Sequence, residues 1–139
     1  MIVHADWQHD EVLNATAENG NTITIDANSA HVDGPGPLEI VLMGLCSCTS
    51  VDVVSILKKK RQPFTGLRVT AQAEQAPTPP RVFVRIHLIY TVRGTGLSRK
   101  AVEDSVALSK NKYCSASIML GKAAEIDYEI VYPDGEPEP

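Results

Sequence analysis

The spacing of apolar and polar positions changes four times along this chain, and each change marks a new kind of element. Thr22, Ile23, Thr24 and Ile25 alternate polar and apolar behind the turn signal Asn19-Gly20-Asn21, which predicts a strand over 21–26. Residues 2–7 read as a second short strand and 11–17 as a third, so the N-terminal region has the pattern of a small β-meander. The run Gly34-Pro35-Gly36-Pro37 then breaks the chain, and Pro37 suits the first position of a helix, where a missing N–H costs nothing. From Pro37 to about Lys60 the alternation is gone. Leu38, Val41, Leu42, Leu45, Val51, Val53, Val54, Ile56 and Leu57 surround the helix axis, which predicts a core helix buried on most sides. Its basic end, Lys58 to Arg61, complements the negative end of the helix dipole, and Pro63 stops it.

Alternation returns after Pro63. Leu67, Val69, Ala71 and Ala73 share one face of a predicted strand over 67–74. Beyond the loop Pro77-Thr78-Pro79-Pro80, Val82, Val84, Ile86, Leu88, Tyr90 and Val92 share one face of another. Arg81, Arg85, His87 and Arg93 lie on the opposite face. The pair is expected to be antiparallel with one face on the core. Gly94-Thr95-Gly96 ends the second strand, and Ser98 is positioned to cap a helix running to about Lys110. A further helical segment spans 113–121, a last strand runs over Glu125–Val131 with Ile126, Tyr128 and Ile130 facing inward, and 134–139 reads as a frayed polar tail. Repeats and internal linkers are lacking, so the expectation is one α+β domain over residues 1–139.

Composition narrows the function classes. The 139 residues are 43 % apolar and 22 % charged, with only 5 % aromatic, so the core must be mainly aliphatic. A net charge of −4 and few aromatic stacking platforms argue against nucleic acid as a partner. The start, MIVHADWQHDEVLNA, has neither a basic n-region nor an apolar run like those of secretory signals. The longest apolar stretch, around 38–57, carries Glu39 and Asp52, and the expectation is a core helix rather than a membrane span. A cytoplasmic protein follows, one whose thiols stay reduced.

Three cysteines remain to be explained: Cys46, Cys48 and Cys114. A thiolate attacks a hydroperoxide oxygen and becomes a sulfenic acid, and a second thiol condenses with it to give a disulfide. Cys48 sits midway along the apolar helix, and Cys114 lies on a different apolar-flanked segment, so these two are the candidates for such a pair. Both also suit plain packing as small core hydrophobes. Cys46 and Cys48 point about 200° apart on a helix and cannot chelate one ion together, so Cys46 is read as packing. His4, His9, His31 and His87 are scattered, and no metal site is expected. Glu39 precedes Cys48 by nine residues, which is about 900° of turn and roughly 13 Å along one helix, so the two could cooperate only across a two-fold interface. Otherwise Glu39 is a first-turn carboxylate that favours the N-terminal dipole. Asp52 is four residues after Cys48 on the same face and is expected to bond a nearby backbone or basic group.

The segments Gly36–Leu57, Arg61-Gln62, Pro80–Phe83 and Ser109–Leu120 resemble the OsmC/Ohr family, most closely its YhfA-like branch, over nearly the whole chain. The resemblance implies an α+β fold with antiparallel sheets outside two long core helices, assembled as an intertwined homodimer whose sites draw on both subunits. It implies that Cys48 is the peroxidatic cysteine and Cys114 the resolving one. Glu39 falls near the place of a glutamate that orients an active-site arginine, one residue closer to the cysteine than in the peroxidase members. The implied activity is reduction of small organic hydroperoxides at the expense of a thiol reductant, with no haem, flavin or metal. One departure stands out: no Arg or Lys precedes Lys58, where the peroxidase members carry their thiolate-stabilising arginine. His31, Arg81, Arg85 and Arg93 are the groups that could take its place.

Two other readings remain open from the sequence. The first is a non-catalytic homodimer that binds a small hydrophobic ligand between Met43, Leu45, Phe83 and Met119, with the cysteines as passive wall. The other is a purely structural dimer.

Overall fold

The computed structural model describes residues 1–139, which divide into two compact units, Met1–Met43 and Gly44–Pro139. The first unit carries the predicted meander: β1 (Val3–His9), β2 (Val12–Ala17) and β3 (Thr22–Asp26), paired antiparallel in that order. Gly20, at φ 92°, turns β2 into β3, a backbone geometry that only glycine adopts freely. Asp26 is buried at the end of β3 and ties down the loop that follows. Its two carboxylate oxygens accept the N–H groups of Asn28 and Asp33 at 2.9 and 3.1 Å. Those backbone donors, Asp33 first, hold its acidity below the usual carboxylate range. Most of the sheet is exposed, including Val3, Trp7 and Ile23.

The helix α1 (Pro37–Lys59) begins and ends within a residue of its predicted bounds. By length and composition it would also suit a bilayer, but its burial follows a different pattern. Leu45, Thr49, Val53 and Leu57 are buried, one stripe of i, i+4 positions, where the sequence predicted burial on most sides. Val41, Met43 and Val51 remain exposed. A single chain offers α1 one packing layer, so only one face finds cover.

The second unit holds the sheet β4 (Phe64–Gln75), β5 (Phe83–Gly94) and β6 (Glu125–Val131). β4 and β5 pair antiparallel, as expected. β5 and β6 pair parallel, Ile86 opposite Ile126 and Leu88 opposite Tyr128, which corrects the all-antiparallel expectation. Parallel neighbours need a crossover, and here it is α2 (Arg99–Leu108), a five-residue π-helical turn (Ser109–Tyr113) and α3 (Ser115–Leu120). A second long core helix is therefore not formed; the π turn and the extended backbone of Cys114 break it. Ser98 caps α2 as predicted, its hydroxyl accepting the Ala101 N–H at 3.2 Å. Gly94, at φ 136°, lets β5 pass the β4 entry; a Cβ there would sit 2.6 Å from the Pro63 carbonyl oxygen. Ile86, Leu88, Tyr90 and Val92 form the fully buried face of β5. At the C-terminus, Asp134 accepts the Gly94 N–H at 3.0 Å and Glu136 accepts Arg99 at 2.9 Å.

The outer face of the β5–β6 ladder carries a charge cluster. His87 Nδ1 lies 2.7 Å from Asp127, which also receives Arg85 at 2.8 Å, and Glu129 stands 3.6 Å from His87 Nε2. The Asp127 hydrogen bond raises the His87 pKa above 6.5, and His87 and Arg85 lower that of Asp127 below 3.8. A raised histidine stabilises fully below its unfolded pKa and is lost as pH rises through the folded one. A lowered carboxylate stabilises above its unfolded pKa and is lost as pH falls. The pair is therefore strongest between about pH 4 and 6.5. Histidine NMR titration should find His87 half-protonated above pH 6.5, and Asp127→Asn should return it toward the ordinary value.

Candidate functional site

Thr49 is the one polar residue of the buried stripe on α1, and it is fully paired. Its Oγ1 lies 2.7 Å from the Tyr90 hydroxyl and 2.8 Å from the Ser109 hydroxyl. Ser109 Oγ donates to Asp52 Oδ2 at 2.9 Å, so Asp52 meets a hydroxyl where a backbone or basic partner was expected. Burial pushes the Tyr90 phenol up to about 12, which keeps it a neutral donor.

This polar line runs beside the cysteines. All three are free thiols. Cys48, next to Thr49, is half-buried, and Cys114 is completely buried. The sequence placed Cys114 within a helix. It instead stands between the π turn and α3 with extended backbone, φ −75° and ψ 103°, and its sulfur caps α3 by accepting the Ser117 N–H at 3.4 Å. Its own N–H donates to the Ser109 carbonyl at 2.8 Å, closing the π turn. Burial raises the Cys114 pKa most, and Ser117 opposes it. Cys48 raises it further. Cys46 points elsewhere, toward the Ala71 backbone on β4, and burial raises its pKa too. That agrees with its reading as a packing residue.

The first unit places Glu39 in the opening turn of α1. Its Oε1 accepts the Gly36 N–H at 2.9 Å, the first-turn role the sequence allowed. His31 Nε2 stands 3.6 Å from the same oxygen. Because His31 Nδ1 donates to the Asp26 carbonyl at 2.7 Å, Nε2 carries a proton toward Glu39 only when the ring is an imidazolium. The three arginines that might have served the thiols are engaged on the sheet and its loops: Arg81 with the Ala76 carbonyl, Arg85 with Asp127 and Arg93 with Asp134. Of the residues expected to line a ligand site, Leu45 is buried in the core, Phe83 is half-buried, and Met43 and Met119 are exposed.

Sequence reasoning missed Thr49, Ser109 and Tyr90. The one available signal was a threonine interrupting an otherwise apolar i, i+4 stripe.

Two three-stranded sheets, one of them mixed, a long helix that carries Cys48 and a buried second thiol beyond the π turn define an α+β protein with a candidate two-cysteine site. Residues 29–129 match the family model described as OsmC-like protein, and the chain belongs to that family. Protein YhfA of Escherichia coli K12 is 38 % identical over 133 residues, covering 94 % of this chain and 98 % of that protein. The crystal structure of a hypothetical protein from Aquifex aeolicus superposes with a TM-score of 0.81 at 27 % identity, covering 96 % of this chain and 97 % of that one. An organic hydroperoxide resistance protein from Elizabethkingia anophelis shares the fold, with a TM-score of 0.68 at 12 % identity and 94 % coverage of both chains.

Proposed function

We propose that this protein reduces organic hydroperoxides at the expense of a thiol reductant, with Cys48 as the attacking sulfur and Cys114 as the resolving one. The observation that carries the reading is the link between the two thiols' neighbours: Thr49, beside half-buried Cys48, bonds Ser109 at 2.8 Å, and the Ser109 carbonyl holds the N–H of fully buried Cys114 at 2.8 Å. The OsmC-like family adds weight, since it includes organic hydroperoxide resistance proteins. In the first step the Cys48 thiolate attacks the peroxide oxygen; an S–O bond forms, the O–O bond breaks, and the alkoxide leaves as the alcohol after taking up a proton. Cys114 then attacks the sulfenic sulfur, an S–S bond forms, and water departs. An external dithiol reduces the disulfide and returns both thiols.

The partner in this reading is a second copy of the chain. Gly44, Ser47 and Ser55 flank Val51 on the exposed face of α1, and small residues there would let a second α1 approach closely. The exposed sheet of residues 1–43 would also gain cover in an intertwined homodimer. Glu39, with the His31 ring 3.6 Å away, is the carboxylate such a dimer would bring to the site. Dithiol-driven turnover tests the activity: cumene hydroperoxide should be consumed faster than hydrogen peroxide. Equal rates at the uncatalysed background would refute it and leave binding of a small hydrophobic ligand as the better reading.

A further inference from the structure

Thr49 and Ser109 are 60 residues apart in sequence and 2.8 Å apart in space. The line they belong to has a defined direction. The Asp52 carboxylate at 2.9 Å and the Thr49 carbonyl at 3.3 Å can only accept, so Ser109 donates its hydroxyl proton to them, chiefly to the shorter Asp52 contact. Ser109 Oγ is then the acceptor for Thr49, and Thr49 Oγ1 the acceptor for Tyr90. The sequence Tyr90 to Thr49 to Ser109 to Asp52 uses each hydroxyl once as donor and once as acceptor, apart from the terminal phenol, which donates. Tyr90, Thr49 and Ser109 are all fully buried, and such a line has no water to fall back on if one member is lost.

Its two central members are each tied to one of the thiols. Thr49 is the residue after Cys48, on the same helix. Ser109 opens the π turn, and its carbonyl holds the Cys114 N–H. Ser117 closes the far side of that turn, its hydroxyl donating to the Lys110 carbonyl at 2.7 Å and to the Cys114 carbonyl at 3.1 Å. A π turn is a rare and easily lost geometry, and α2 would otherwise continue as an ordinary α-helix. In an α-helix the Cys114 N–H would bond Lys110 rather than Ser109, and the sulfur would turn away.

We propose that Thr49, Ser109 and Asp52 form a positioning clamp that holds the π turn against α1 and keeps Cys114 within reach of Cys48. None of the three touches the peroxide; they act through the placement of the resolving thiol. The inference rests on the reading of Cys48 and Cys114 as a redox pair, and the test separates the two. In the test, diamide, an azo oxidant that takes two electrons and two protons from a pair of thiols, closes the disulfide without any peroxide chemistry. Closure is followed by mass spectrometry in wild type, Ser109→Ala, Thr49→Ser and Asp52→Asn, alongside alkylation of Cys48 by iodoacetamide.

Ser109→Ala should close the Cys48–Cys114 disulfide about tenfold more slowly, the cost of a misplacement well under an ångström. Its Cys48 alkylation rate should be unchanged, since attack from solvent does not depend on where Cys114 stands. Thr49→Ser keeps the hydroxyl and should keep the wild-type closure rate. Asp52→Asn, at a half-buried position, should slow closure less than Ser109→Ala does, and it carries the test if that variant does not fold. Wild-type closure rates in both Ser109→Ala and Asp52→Asn, or no Cys48–Cys114 disulfide in wild type with diamide, would overturn the clamp. Closure with diamide but none with cumene hydroperoxide would refute the reductase reading while the variants still decide the clamp.

Discussion

Cys48→Ser is expected to lose all dithiol-driven hydroperoxide turnover, and Cys114→Ser to lose sustained turnover while keeping the first oxidation. The difference follows from position. Cys48 is half-buried and carries the sulfur a peroxide can meet, whereas Cys114 has no exposed surface and serves the reaction only by meeting the oxidised Cys48. Without Cys114 the sulfenic acid at Cys48 has no thiol beside it, and excess peroxide carries it on to sulfinic acid. Intact-mass measurement should therefore find a gain of two oxygens in Cys114→Ser under conditions that leave the wild type bridged. Cys48→Ser, at a half-buried position, should shift the unfolding midpoint little, whereas Cys114→Ser buries a hydroxyl and should cost on the order of 1–3 kcal/mol unless that hydroxyl is paired. If Cys48→Ser retains turnover, the chemistry lies elsewhere in the chain.

Val51→Asp should convert the proposed dimer into monomers. Val51 is 69 % exposed in the single chain, in the middle of an apolar helix. A carboxylate buried there without a partner costs on the order of 3 kcal/mol per copy. That weakens association at least roughly a hundredfold. Sedimentation at micromolar concentration should register the change. In the monomer the position faces solvent, so folding should be spared. An unchanged sedimentation coefficient would mean that this face of α1 is not the interface.

Much of this architecture was legible in the pattern of the chain. The breaker Gly34–Pro37 and the stop at Pro63 fix the span of α1, because proline geometry is local. The alternation in β5 identified its buried face for the same reason. The direction of β6 was not legible: period two tells which side chains face the core, and says nothing about which way a strand runs beside its neighbour. Parallel pairing with β5 depends on the length and path of the crossover through α2 and α3. An apolar circumference states what a helix needs, while one chain supplies a single layer, so only one stripe of α1 is covered within the chain. Cys48 and Cys114 were paired on chemistry and family likeness. Their supports escaped notice for a physical reason. Serine and threonine are ordinary surface residues, and only the fold brings Ser109 beneath Thr49 and gives two nondescript hydroxyls a buried role.

The central claim is that Cys48 and Cys114 act as one redox unit. Its most direct test is a peptide map of the reduced wild-type protein after one equivalent of cumene hydroperoxide. The account predicts a Cys48–Cys114 disulfide with Cys46 left as a free thiol. Three cysteines all remaining reduced, or a disulfide that takes in Cys46, would contradict it.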